Sequence, residues 1–353
     1  MANSAVMDMV SVADGIEWQA RHAEEAGATC TARVIRAVAA LGKTDTATGR
    51  RIANWQGLLL ADAMPLRITG ALHNLVLTGE DDRLTKVYSG VMTDQAAIDA
   101  LVCELGEKYD TRLLPWLDGP PQTNEAGRSA SLMAGLLWLA NRLGPKFRLF
   151  EIGSSAGINT MMERYRFDLG GVTTGPESSP MLIRPDWRGP PPPEAEVEIT
   201  GIEGCDQSPI DLSDPEAALR LKSYVWPEAL GRMQRIEAAI ELASQKAPKV
   251  VKEDAADFVE RVLAQPAEPG ATRVLFHSIV WQYVPDEGQQ RIRDAMHRTG
   301  AETTEDAPLA WVQLETNRKT FRHELKVRYW PGGEESALLG CAHPHGEWVE
   351  WNS

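Results

Sequence analysis

Between Phe147 and Ile152 the chain is apolar apart from Arg148 and Glu151, and it then turns through Gly153-Ser154-Ser155-Ala156-Gly157. A run of this length, closed by glycines, reads as a buried strand entering a tight turn. Upstream, Asn124 can cap a helix from about Glu125 to Leu143, which Gly144-Pro145 stops. Downstream, a helix is expected through Met161, Met162 and Tyr165. Helix, strand, glycine turn, helix is the grammar of a doubly wound α/β sheet.

The pattern recurs. Glu196 to Ile202 alternates as a second strand and runs on to Gly204-Cys205-Asp206, followed by a helical stretch from Leu230 to Ser244. Val250 to Lys252 reads as a third strand, with Asp254-Ala255 and a helix through Phe258 and Val262 behind it. Arg273 to Val280 reads as a fourth, with a helix after Pro285, and Leu309 to Glu315 as a fifth. Glu324–Trp330, Pro331-Gly332-Gly333, Ser336–Cys341 and Glu347–Trp351 read as a closing antiparallel hairpin. The insert near 169–194 carries Pro190 to Pro193 in one run, which reads as a surface excursion rather than a central strand.

The first part of the chain differs. Ile52, Trp55, Leu58 and Leu59, then Leu72, Leu75 and Val76, then Ile98, Leu101, Val102 and Leu105 recur at helical spacing. This predicts an all-α domain over 1–123, ahead of an α/β domain over 124–353 with a mostly parallel sheet. Two domains suit a chain of 353 residues.

Composition excludes several roles. A net charge of −14 repels phosphate backbones, so no nucleic-acid partner is expected. No stretch reaches the roughly 18 apolar residues of a membrane span, and the first residues carry no basic and apolar leader. Cys30, Cys103, Cys205 and Cys341 lie far apart without a C-x-x-C pair, which fits a reduced, cytoplasmic protein with no structural zinc. His343-Pro344-His345 has no Cys or acidic ligand set around it, so no metal is expected there.

Three chemistries compete for the glycine turn. A dinucleotide fingerprint needs G-x-G-x-x-G, and Ser155 stands where its second glycine belongs. A nucleophile elbow needs G-x-S-x-G, which the turn matches with Ser155 as nucleophile and His343 or His345 as base. The helical region upstream and the lack of a glycine-rich oxyanion loop argue against that reading. The third pattern, Glu151 followed by Gly153-x-x-x-Gly157, resembles motif I of class I S-adenosylmethionine-dependent methyltransferases.

That resemblance spans about Phe147–Trp351 and implies a Rossmann-like fold with S-adenosylmethionine as cofactor. It implies that Gly153 and Gly157, with Ser155 in a glycine position, admit the methionyl end, and that Glu151 meets its amino group. Asp206, or Asp211 close by, would take the ribose hydroxyls, and Asp254-Ala255 would lie near adenine. The run from Val274 through Pro285-Asp286 resembles the fourth-strand segment of small-molecule methyltransferases, and the hairpin resembles their sixth and seventh strands. Methyl transfer to a small acceptor follows as the expected activity; a serine hydrolase built on Ser155 and a non-catalytic ligand-binding protein are the alternatives.

Other residues complete the expected site. His277, near the end of the fourth strand, is the candidate general base, with a buried core histidine as the alternative. Trp281 and Tyr283 are candidates for an acceptor pocket. Asn124, Glu125 and Arg128, beside Gln122, start a helix that must run antiparallel to the first strand. They therefore lie toward the sheet edge where α/β proteins bind ligands, or else serve only as an N-cap with a surface arginine. The strings Gln122-Thr123-Asn124-Glu125 with Gly127-Arg128, Glu151 through Asn159, and Trp281-Gln282-Tyr283 resemble a bacterial family, domain of unknown function 2332, which carries no activity to transfer.

Overall fold

The computed structural model describes residues 11–56, 63–119, 121–122 and 124–353. Positions 1–10, the stretch without a basic and apolar leader pattern, and Leu58, Leu59 and Thr123 lie outside the described residues. The chain divides into two compact units: the chain before Asn124 together with Pro215–Gln234, and Asn124–Asp214 with Arg235–Ser353.

The first unit is helical: α1 (Val12–Glu25), α2 (Thr29–Leu41), α3 (Ala47–Ala53), α4 (Met64–Leu77), α5 (Thr85–Tyr88), α6 (Gln95–Lys108) and α7 (Asp110–Leu113). Its core gathers the apolar stripes of these helices, including Ile35 and Val38 of α2, Leu72 and Leu75 of α4, and Val102 and Leu105 of α6. A later segment belongs to the same unit. Helix α9 (Pro215–Ser223) docks on α4, where Asn74 Nδ2 donates to Ser223 Oγ at 3.0 Å and Tyr224 lies against Gly70. Helix α2 has no side-chain cap of its own at Ala28. Glu228 supplies one, its carboxylate accepting from Cys30 N at 2.7 Å, Thr31 N at 2.8 Å and Thr31 Oγ1 at 2.5 Å.

The second unit opens with α8 (Ser129–Leu143), buried all round over its first three turns and ended by Gly144 at φ +88. β1 (Lys146–Ile152) follows. The insert is more ordered than the sequence suggested. β2 (Arg166–Leu169), β3 (Val172–Thr174) and β4 (Leu182–Ile183) form a small three-stranded sheet, and β5 (Asp186–Arg188) joins the edge of the main one. The proline run comes only after β5. β6 (Glu198–Asp206), α10 (Leu230–Gln245), β7 (Val250–Lys252), α11 (Ala255–Leu263), β8 (Thr272–Ser278), α12 (Asp286–Ala301) and β9 (Leu309–Thr316) come next, then β10 (His323–Trp330), β11 (Gly333–Ala342) and β12 (Trp348–Trp351).

The main sheet has nine strands in the order β5-β12-β11-β10-β9-β8-β1-β6-β7. β7, β6, β1, β8 and β9 are mutually parallel, while β9 to β12 form an antiparallel meander. β1 and β8 lie inside the parallel part of the sheet, covered on both faces, which is why both read as near-continuous apolar runs. From β1 the chain goes one way to β6 and β7, then returns to the other side for β8 and β9. The strand order therefore reverses between β1 and β8, and the crevice at the carboxyl ends of such a pair is where open α/β sheets bind ligands.

Candidate functional site

Glu151 is the penultimate residue of β1, opposite Gly204 of β6 and Phe276 of β8. It is 1% exposed. Burial pushes its carboxyl up to about 8, with the Asp206 charge adding to the rise; the Ser154 and Asn159 side chains and the Arg128 charge oppose it. Among the described residues, Oε2 of Glu151 and both amide atoms of Asn159 have no hydrogen-bond partner. Two buried acceptor atoms and one donor group are thus left over beside the turn, and unmet groups of this kind are uncommon in folded proteins.

The turn is built on left-handed backbone at Gly153 (φ +68), Ser155 (φ +52) and Gly157 (φ +71). Asp206, which ends the neighbouring β6, fastens it: its Oδ2 accepts from Ser155 N at 2.9 Å and its Oδ1 from Ser208 N at 2.8 Å. Asp211 instead closes a local turn with Ser213, so Asp206 is the acid brought to the glycine turn. Asp254 caps α11, accepting from Ala256 N at 2.9 Å, and also meets Gln207. The expected helix through Met161 and Tyr165 is a short 3-10 stretch, Asn159–Arg164, with Tyr165 beyond it. Six residues of 3-10 helix lack the aligned dipoles of a long α-helix, so this stretch offers little attraction for an anion.

Space before the two glycines is already taken by protein. A Cβ at Gly153 would lie 2.2 Å from Val280 Cγ2, and one at Gly157 would lie 2.7 Å from Pro248 and from Val250. Glycine at 153 is therefore required by packing within the chain as well as by its positive φ.

The polar cluster before α8 reaches this turn. Asn124 Oδ1 accepts from Ile158 N at 2.7 Å rather than capping α8, which begins after a 3-10 turn at Ala126–Arg128. Glu125 pairs with Arg235 at 3.0 Å. Arg128 is buried, not a surface arginine: its Nε donates to Pro344 O at 2.8 Å and its Nη1 to Ser278 O at 3.3 Å. Gly127 lies so close to the His343–Gly346 turn that a Cβ would fall 2.6 Å from the His345 carbonyl oxygen.

His277 is 0% exposed. Its Nδ1 lies 2.6 Å from Glu315 Oε1, and its Nε2 accepts from the Trp311 indole at 3.1 Å. The indole N–H only donates, so Nε2 carries the lone pair and Nδ1 the proton. The lone pair a general base would use is engaged by Trp311, so the surroundings favour a buried bridge between β8 and β9 over the expected base. Trp281 stacks on that imidazole, with centroids 5.1 Å apart and planes 17° apart. Tyr283 is 74% exposed. Among the described residues no group of three or more His, Cys, Asp or Glu could hold a metal, and no helix is long and apolar enough to cross a membrane.

Sequence reasoning passed over Asn159, Arg235, Val280 and Glu315. Only Glu315 carried a signal, an acid at the end of an otherwise apolar strand. The sequence model of a bacterial family described as an uncharacterized protein conserved in bacteria, DUF2332, matches residues 13–351. The chain belongs to this family. No curated protein and no solved structure matches it. In this DUF2332 chain the strings that carried the resemblance converge: Asn124 binds the Ile158 backbone just past the glycine turn, Arg128 binds the last carbonyl of β8, and Trp281 packs on His277.

Proposed function

We propose that this chain binds S-adenosylmethionine at the Gly153–Gly157 turn of a Rossmann-like, class I methyltransferase-like unit, and that it transfers the methyl group to a small acceptor. One observation carries the reading: a buried acid lies next to the carboxyl end of β1, where strand order reverses, beside a glycine turn and a second acid on the next strand. The leftover polar atoms suit such a ligand. Glu151 Oε2 and Asn159 Oδ1 match the donors of an amino group, and Asn159 Nδ2 matches a carboxylate. Asp206 keeps further acceptor capacity for ribose hydroxyls. The bound cofactor would supply an electrophilic methyl on sulfonium; the chain's part is to hold donor and acceptor in line and exclude water.

Calorimetry with S-adenosylmethionine, S-adenosylhomocysteine and NAD tests this. Binding of the first two without NAD is expected; NAD binding alone, or no binding, refutes it. The left-handed Ser155 favours a second reading, because a nucleophile elbow also sits on a strained turn. A fluorophosphonate probe that labels wild type but not Ser155→Ala would establish that hydrolase instead. Binding of ligand without any methylated product would leave a binding protein on the same fold.

A further inference from the structure

We propose that the Ser278–Val280 turn is a door over the ligand face of Gly153, held shut in this conformation by Glu315; this rests on the reading of the glycine turn as the cofactor site. Ile279 sits at φ +53. A β-branched residue in the left-handed region is a true outlier, because its branched Cβ crowds the backbone there. Such a conformation persists only where neighbours impose it.

The neighbours are identifiable. Glu315 Oε1 accepts from Val280 N at 3.1 Å while the same oxygen meets His277 Nδ1 at 2.6 Å. Ile279 N donates to Leu314 O at 2.9 Å, and Arg128 Nη1 holds Ser278 O at 3.3 Å. Together they pin the turn so that Val280 presses its methyls on Gly153, into the space that a missing side chain opens. Relaxation of Ile279 to an ordinary φ would swing Val280 off that face. The strain favours opening and the Glu315 contacts oppose it, so the turn has two arrangements of competing stability. A ligand that needs the Gly153 face would bind only the open one.

The two side chains make opposite predictions. Glycine takes positive φ without penalty, so Ile279→Gly removes the strain that favours opening. It is expected to weaken S-adenosylhomocysteine binding roughly tenfold, by lowering the population of the open state. Val280→Ala shortens the plug and is expected to bind several-fold more tightly, with faster association. Affinity is read by calorimetry and association by stopped-flow fluorescence, with folding checked by thermal melts. Equal affinity in wild type and both variants would overturn the door and leave the cofactor reading standing. No binding in any of the three overturns both. If Ile279→Gly fails to fold, Val280→Ala decides: unchanged affinity and association rate overturn the proposal.

Discussion

Glu151→Gln offers the sharpest test of the buried acid, because its effect must change with pH. The carboxyl is raised from 4.5 to about 8 in the folded chain, chiefly by burial. Between those values the folded state holds a proton that the unfolded state has released, so stability falls as pH rises through this window and levels off above it. Each tenfold difference in proton affinity between the two states corresponds to about 1.4 kcal/mol, which puts the full loss on the order of 5 kcal/mol. Glutamine is neutral throughout and nearly isosteric, so it removes the slope. At pH 5 wild type and variant should be close. At pH 9 the variant should be the more stable by a few kcal/mol, equivalent to roughly 10 °C in melting temperature for a unit of this size. Denaturant titrations followed by circular dichroism and tryptophan fluorescence at pH 5, 7 and 9 would measure it. Parallel stability curves for the two proteins across that range would refute the argument that burial outweighs the partners of the Glu151 carboxyl.

Three further outcomes can be checked. Glu228→Ala removes the side-chain cap of α2 and should cost about 2–3 kcal/mol of helical-unit stability in urea titrations, with Glu228→Gln losing less. His277→Ala leaves the Trp311 indole and the Glu315 carboxylate without their shared partner, so a loss of about 2–4 kcal/mol is expected in the same assay; unchanged stability with lost activity would restore the ring as a general base. Asn124→Ala frees Ile158 N and should weaken S-adenosylhomocysteine binding several-fold by calorimetry, while a change in melting temperature alone would reduce Asn124 to a structural tie.

The parallel strands were legible because burial on both faces leaves few polar residues in β1 and β8, and because glycine or aspartate marks where strands stop. Their lateral order was not, since a crossover of any length can place a strand on either side. β5 escaped because Asp186-Trp187-Arg188 is short and polar, as an edge strand facing solvent can be, and the prolines behind it mark the exit rather than the strand. The apolar Met161 and Met162 suggested an α-helix, but the Tyr165 hydroxyl donates to the Ile158 carbonyl across a tighter 3-10 stretch. At the site, residue type and position pointed to Glu151, Asp206, Asn124 and Arg128. What they bind depended on side-chain reach, so Asn124 bound the Ile158 backbone instead of capping a helix, and Val280 emerged only as the residue facing Gly153.

The discontinuous helical unit bears on how this protein is made. A ribosome releases roughly 5–20 residues per second. Glu228, which caps α2, therefore emerges some ten to forty seconds after Thr31, once β1 and β6 have already been synthesised. During that interval the helices wait with one end of α2 unsatisfied and with the groove on α4 not yet filled by Ser223 and Tyr224. The usual order, in which an N-terminal unit closes before the next begins, is not open to this chain. Protease resistance of the helices on stalled nascent chains should appear only once the stall site has moved far enough past Gln234 for that residue to clear the exit tunnel.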